Sequence, residues 1–126
     1  MRPSDLARVR RIALALPDVE EGLSWGAPAF KLRGKLMACQ ATNKSAEPDS
    51  LVVLLDFDQR DELLAAEPDI YYLKEHYVGY PCLLVRLTRV HPDALRDVIG
   101  MAWKYVDSKS RRKAKAPRSK HSAARA

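Results

Sequence analysis

The sequence predicts an α+β domain, a mainly antiparallel sheet with helices packed against it in the order α-β-β-β-α-β-β-α. Three observations predict this. Apolar residues recur at helical spacing near the start and near residue 100. Between them the period changes to short runs of strand formers. Glycine and proline punctuate those runs. At 126 residues and 47% apolar composition, the chain fits one domain around a single core.

Residues 4–16 read as a helix, with Leu6, Val9, Ala13 and Leu16 on one face, Ser4 able to cap its start and Pro17 ending it. Gly22 to Pro28 reads as a turn-rich connection. Phe30 to Leu32 and Leu36 to Ala41, joined by Arg33-Gly34-Lys35, read as a tight hairpin with glycine at its tip. After a polar loop, Leu51 to Leu55 is a continuous apolar run, as expected of a central strand. Asp58 is placed to cap a short helix, Gln59 to Ala66, which stops before Pro68. Ile70 to Leu73 and Cys82 to Leu87 read as two further strands, joined through Gly79 and Pro81. Pro92 opens the last helix, whose stripe is Leu95, Val98, Ile99, Ala102 and Val106.

The net charge of +6 is unevenly placed. Of 22 basic residues, eight lie in 109–126 with no acid, leaving 14 against all 16 acids in residues 1–108. The body is therefore slightly acidic and the end strongly cationic. With only alanines among Lys, Arg and Ser, residues 109–126 cannot bury enough surface to offset ordering entropy. They are expected to be a disordered basic tail beyond a domain of residues 1–108.

Several classes are set aside. No stretch approaches the roughly 20 apolar residues of a membrane span. Met1 to Asp5 leads into a charged segment without a secretory apolar run, so a cytoplasmic address is expected. Cys39 and Cys82 sit in apolar runs and read as buried reduced thiols. No metal or cofactor motif is present. His76 and Cys82 could in principle pair as base and nucleophile, and Asp56 with Asp58 ends a strand, but no complete catalytic set is visible, so no enzyme is expected.

The helix ending in Leu16-Pro17, then Trp25-Gly26-Ala27-Pro28-Ala29-Phe30-Lys31, Gly34-Lys35-Leu36-Met37-Ala38, and Tyr71-Tyr72-Leu73 with His76-Tyr77, resembles the MmcQ/YjbR family over roughly residues 5–108. The resemblance implies a compact YjbR-like α+β domain and a double-wing arrangement proposed to bind DNA. This chain has Tyr77 where many members carry a tryptophan after the histidine.

Three groups could meet a nucleic acid. Lys31, Arg33 and Lys35 on the hairpin wing could touch phosphates, or could only keep an edge hairpin soluble. Lys74, His76 and Tyr80 lie in a stretch where aromatics could stack bases, or could simply pack. Tyr77 and Tyr80 are expected at the surface and Trp103 in a structural role. The tail, with Lys109, Arg111, Arg112, Lys113 and Lys115, would attract any polyanion or only solubilise. The leading expectation is a non-catalytic DNA-binding protein with weak sequence preference, DNA ahead of RNA, monomeric by default and with no evident small-molecule substrate. The alternative is a protein or small-ligand interaction module, which a deep apolar pocket lined by Tyr and Trp would favour.

Overall fold

The computed structural model describes the backbone of residues 2–122 and the side chains of residues 2–110. In chain order it contains α1 (Pro3–Leu14), β1 (Val19–Ser24), β2 (Ala27–Leu32), β3 (Lys35–Gln40) and β4 (Ser50–Leu54). Then come α2 (Phe57–Ala66), β5 (Tyr71–Tyr72), α3 (Glu75–Val78), β6 (Cys82–Arg86) and α4 (Pro92–Ser122). The strands form one six-stranded sheet in the order β1-β2-β3-β4-β6-β5. Every neighbouring pair is antiparallel. The α+β class is the one predicted. No helix among the described residues is long and apolar enough to cross a membrane.

The element order gains a strand and a short helix. β1 occupies part of the stretch read as a connection. Glu20, Glu21 and Gly22 are poor strand formers, and pairing with β2, from Val19↔Leu32 to Ser24↔Ala27, overrides that weak preference. α3 spans one turn between β5 and β6. Two caps also move. α1 begins at Pro3, with Arg2 rather than Ser4 in the N-cap position. Asp56, not Asp58, caps α2, its carboxylate accepting from the Gln59 N–H at 2.8 Å. The apolar stripe of α4 is buried as read, while the helix continues past Asp107 to Ser122. Lysine, arginine and alanine, the most frequent residues there besides serine, are good helix formers, while Pro117 within the same stretch opposes the helix. The expected tail begins at 109. Its side chains from Arg111 onward, and its last four residues altogether, lie outside the described residues.

Strand alternation divides the sheet into two faces. Phe30, Leu32, Ala38, Leu51, Val53, Leu83 and Val85 join Val9 and Ala13 of α1 and the α4 stripe in the main core. The opposite residues form a smaller cluster: Ala29, Cys39, Val52, Tyr72, Cys82 and Leu84, with Tyr77 of α3 against them. Tyr71 and Tyr72 fall on opposite faces, as adjacent strand residues must. The second face is covered chiefly where the loop between β3 and β4 folds over it. The Tyr72 hydroxyl accepts from the Glu47 N–H at 2.8 Å and is hydrogen-bonded to Ser50 Oγ. Arg86 lies 4.3 Å over the Tyr72 ring and forms a two-pronged pair with Glu47, holding that carboxyl below its ordinary range.

Both cysteines are free and buried, as expected. Burial pushes each thiol up to about 11. Since an unfolded thiol ionises near 9, the native state holds these protons more tightly and the shift leaves stability unchanged at neutral pH. Stability should then fall as pH rises from about 9 to about 11. At pH 8, alkylation of the native protein by iodoacetamide should run on the order of a hundredfold slower than in denaturant, in proportion to the smaller thiolate fraction. Equal rates would show the thiols to be ionisable and accessible.

Candidate functional site

The part of the second face left uncovered by the β3–β4 loop carries a cavity of about 610 Å³. Small-molecule sites commonly measure about 300–1,000 Å³. Its floor comes from Cys39 of β3, Val52 and Leu54 of β4 and Cys82 of β6, which alternation turns to this face, and from Leu36, which the bulge between β2 and β3 brings to the same side. Thr42 and Asn43 supply a polar wall where β3 runs into its loop, Gln40 borders the cavity at the strand end with its side chain on the Leu51 side of the sheet, and Ser24 adds a hydroxyl. His76, Tyr77, Tyr80 and Pro81 close the side nearest α3. No Asp, Glu, Lys or Arg among the described residues lines it.

Two exposed aromatics mark the rim. Trp25 is 90% exposed and Tyr80 61% exposed, and both line the cavity. Trp25 and Gly26 are the central residues of the two-residue turn joining β1 to β2, with φ of 55° and 76°. Positive φ at both positions matches the turn whose twist suits a hairpin, where Asn-Gly or Gly-Gly is usual. A tryptophan there bears backbone strain and leaves its indole in water. The turn between β2 and β3 repeats the pattern, with Arg33 at φ 48° and Gly34 at 85°, the glycine tip the sequence predicts.

Tyr80 is fixed from behind. The buried Arg60 of α2 donates from Nη1 to the carbonyls of Val78 and Tyr80 at 2.9 and 3.2 Å, and Phe57 stacks 4.7 Å beneath its guanidinium. His76 meets the Tyr77 ring edge-on at 4.9 Å and lies 6.4 Å from the Tyr80 ring. Tyr77 is only 8% exposed, correcting the expectation that it lies at the surface. Its ring packs into the second-face cluster, and burial raises its hydroxyl above the ordinary tyrosine range. The Cys82 thiol donates to the Tyr77 carbonyl at 3.8 Å. His76 and Cys82 share the cavity, but no carboxylate joins them there.

The expected nucleic-acid contacts are divided. Of Lys74, His76 and Tyr80, the last two line the cavity, while exposed Lys74 sits 5.9 Å from the Tyr72 ring. On the wing, Arg33 is engaged on both sides, with Asp18 at 2.8 Å and Asp107 at 2.5 Å. Lys31 stands opposite Glu20 in the strand register, and Lys35 is exposed. None of these three lines the cavity. Lys109 donates to the Tyr105 hydroxyl at 3.3 Å. Arg111, Arg112, Lys113 and Lys115 lie outside the described side chains. Trp103 has the expected structural role, its indole N–H donating to the Pro17 carbonyl at 2.9 Å. Sequence reasoning missed the polar wall and the position of Trp25 at the rim. The available signal for the latter was Trp-Gly, a two-residue turn between strands.

Comparison with known proteins places this geometry in a family. The YjbR family model matches residues 14–105. The chain belongs to the YjbR family. It is 32% identical over 85 residues to uncharacterised proteins of Mycobacterium bovis (Mb2600) and Mycobacterium tuberculosis (Rv2570). The match covers 64% of this chain and 63% of each relative, so it spans less than two thirds of their length. The crystal structure of Deinococcus radiodurans protein DR2400, with a DUF419 domain, superposes with a TM-score of 0.63 at 19% identity. That alignment covers 78% of this chain and 75% of the other, and shows a shared fold.

The Trp25 turn yields a test of the conflict between folding and exposure. Trp25→Asn creates the preferred Asn-Gly pair and should stabilise the protein by about 1 kcal/mol, the lower end of the usual strain at such positions. Urea unfolding should show a higher midpoint with an unchanged slope. A lower midpoint would mean that the indole contributes packing that its exposure conceals.

Proposed function

We propose that this YjbR domain is a non-catalytic binding module that takes a small, largely apolar ligand in the cavity on its second sheet face. One observation carries the reading. A cavity of about 610 Å³, lined by no Asp, Glu, Lys or Arg among the described residues, is rimmed by a tryptophan that is both strained and 90% exposed. An indole exposed at a strained turn is unfavourable twice over in the free domain, and ligand contact would offset the exposure. A binding role is supported further by the lack of a carboxylate beside His76 and Cys82, and by a thiol held in its neutral form. Two free buried thiols suit a reducing compartment such as the cytoplasm.

Titration of the full chain with Nile red, a neutral apolar dye, should give saturable one-to-one binding with a fluorescence rise. Trp25→Ala and Tyr80→Ala should each weaken it about tenfold, corresponding to about 1.4 kcal/mol. Absence of stoichiometric binding, or indifference to both substitutions, would remove the cavity as the functional site.

A nucleic-acid reading, DNA ahead of RNA, rests on a different observation. Eight cations and no acid occupy residues 109–126, and the backbone of α4 carries most of them as far as Ser122. On the wing, by contrast, Asp18, Asp107 and Glu20 offset much of the local charge. In this reading the C-terminal segment supplies affinity and Lys35 a minor contact. DNA binding measured by anisotropy should then weaken with salt. Replacing the Lys and Arg of 109–126 by Gln should flatten the log–log slope by roughly 0.9 for each phosphate no longer neutralised. An unchanged slope would exclude the segment as the binding element.

A further inference from the structure

The chemistry of the cavity wall narrows what it can hold, and this step rests on the binding-module reading above. With no Asp, Glu, Lys or Arg among the described lining residues, a charged ligand would surrender its hydration without gaining a carboxylate, ammonium or guanidinium counter-charge. The wall is nevertheless not uniformly apolar. Thr42 and Asn43, in the loop after β3, bring a hydroxyl and an amide to it, and a pure hydrocarbon would desolvate them without offering a partner. The Asn43 side-chain oxygen is already engaged, accepting from the Ser45 N–H at 2.9 Å and hydrogen-bonded to Ser45 Oγ at 2.6 Å. Its amide NH₂ is thus the group left to donate. The rim consists of Trp25 and Tyr80, whose ring faces favour offset stacking with another flat ring.

We propose that the ligand is an uncharged, flat heteroaromatic ring system, of the size and polarity of a purine. It stacks against Trp25, with an acceptor on its edge turned to Asn43. The ring face satisfies the indole, and a ring nitrogen or carbonyl satisfies the Asn43 amide. Phosphate-bearing forms of the same ring bind worse, because their charge meets no lysine or arginine among the described lining residues. The free small molecule, not a base within a nucleic-acid strand, is therefore the occupant.

The chain has two tryptophans, so Trp103→Phe leaves Trp25 as the reporter in otherwise full-length protein. Caffeine and adenosine should quench its fluorescence saturably. Adenosine 5′-monophosphate should bind at least fivefold more weakly than adenosine, and Asn43→Ala should weaken adenosine at least fivefold. Calorimetry on the unsubstituted protein gives the same affinities should the Trp103 substitution perturb folding. If 1-adamantanol, apolar but not flat, binds as tightly as caffeine, the heteroaromatic assignment is overturned while the cavity reading stands. Monophosphate binding tighter than adenosine overturns the uncharged assignment. If Nile red and every ring fail together, the cavity reading itself falls.

Discussion

The structure depends on one constraint: a β-sheet has two faces, and a chain this short has helix enough to cover only one of them fully. α1 and the first half of α4 seal the first face, where Leu51, Val53, Leu83 and Val85 are fully buried. The second face receives a single-turn helix and a loop. Strand alternation then turns Cys39, Val52, Leu54 and Cys82 to the second face, where they border a cavity instead of packing under a helix. The cavity follows from this imbalance.

The partial cover is held by polar bonds as well as packing. Tyr72 links the β3–β4 loop to β4 through Glu47 and Ser50, while Arg86 clasps Glu47 and donates to the carbonyls of Pro68 and Asp69. Arg60 does the equivalent for the segment after α3. Such groups anchor loops too short to build cores of their own. They also leave the space between the two anchored segments open, which is where the aromatics of the rim gather.

Much of the fold was legible because its signals are local. The β2–β3 hairpin announces itself through Gly34 between two strand-forming runs, and the α4 stripe repeats at helical spacing. β1 was hidden because Glu20, Glu21 and Gly22 carry no strand signal and take their conformation from β2. The site was harder for a different reason. Its lining comes from the ends of β1, β3, β4 and β6 and from α3, so no single stretch of chain contains its pattern. The wing cations looked available for the same reason. Arg33 finds its acids 15 and 74 residues away, at Asp18 and Asp107. Family resemblance, carried by Trp25-Gly26 and the Tyr-Tyr-Leu run, identified the architecture without revealing which aromatic faces solvent.

The grip of Arg60 on two carbonyls has a dynamic corollary. It immobilises the backbone beside Tyr80 while leaving the phenol ring outside, so the gatepost turns on its own single bonds without any hinge in the chain. Rotation of that ring therefore follows the picosecond-to-nanosecond scale typical of exposed residues, rather than the slower scale of segmental opening.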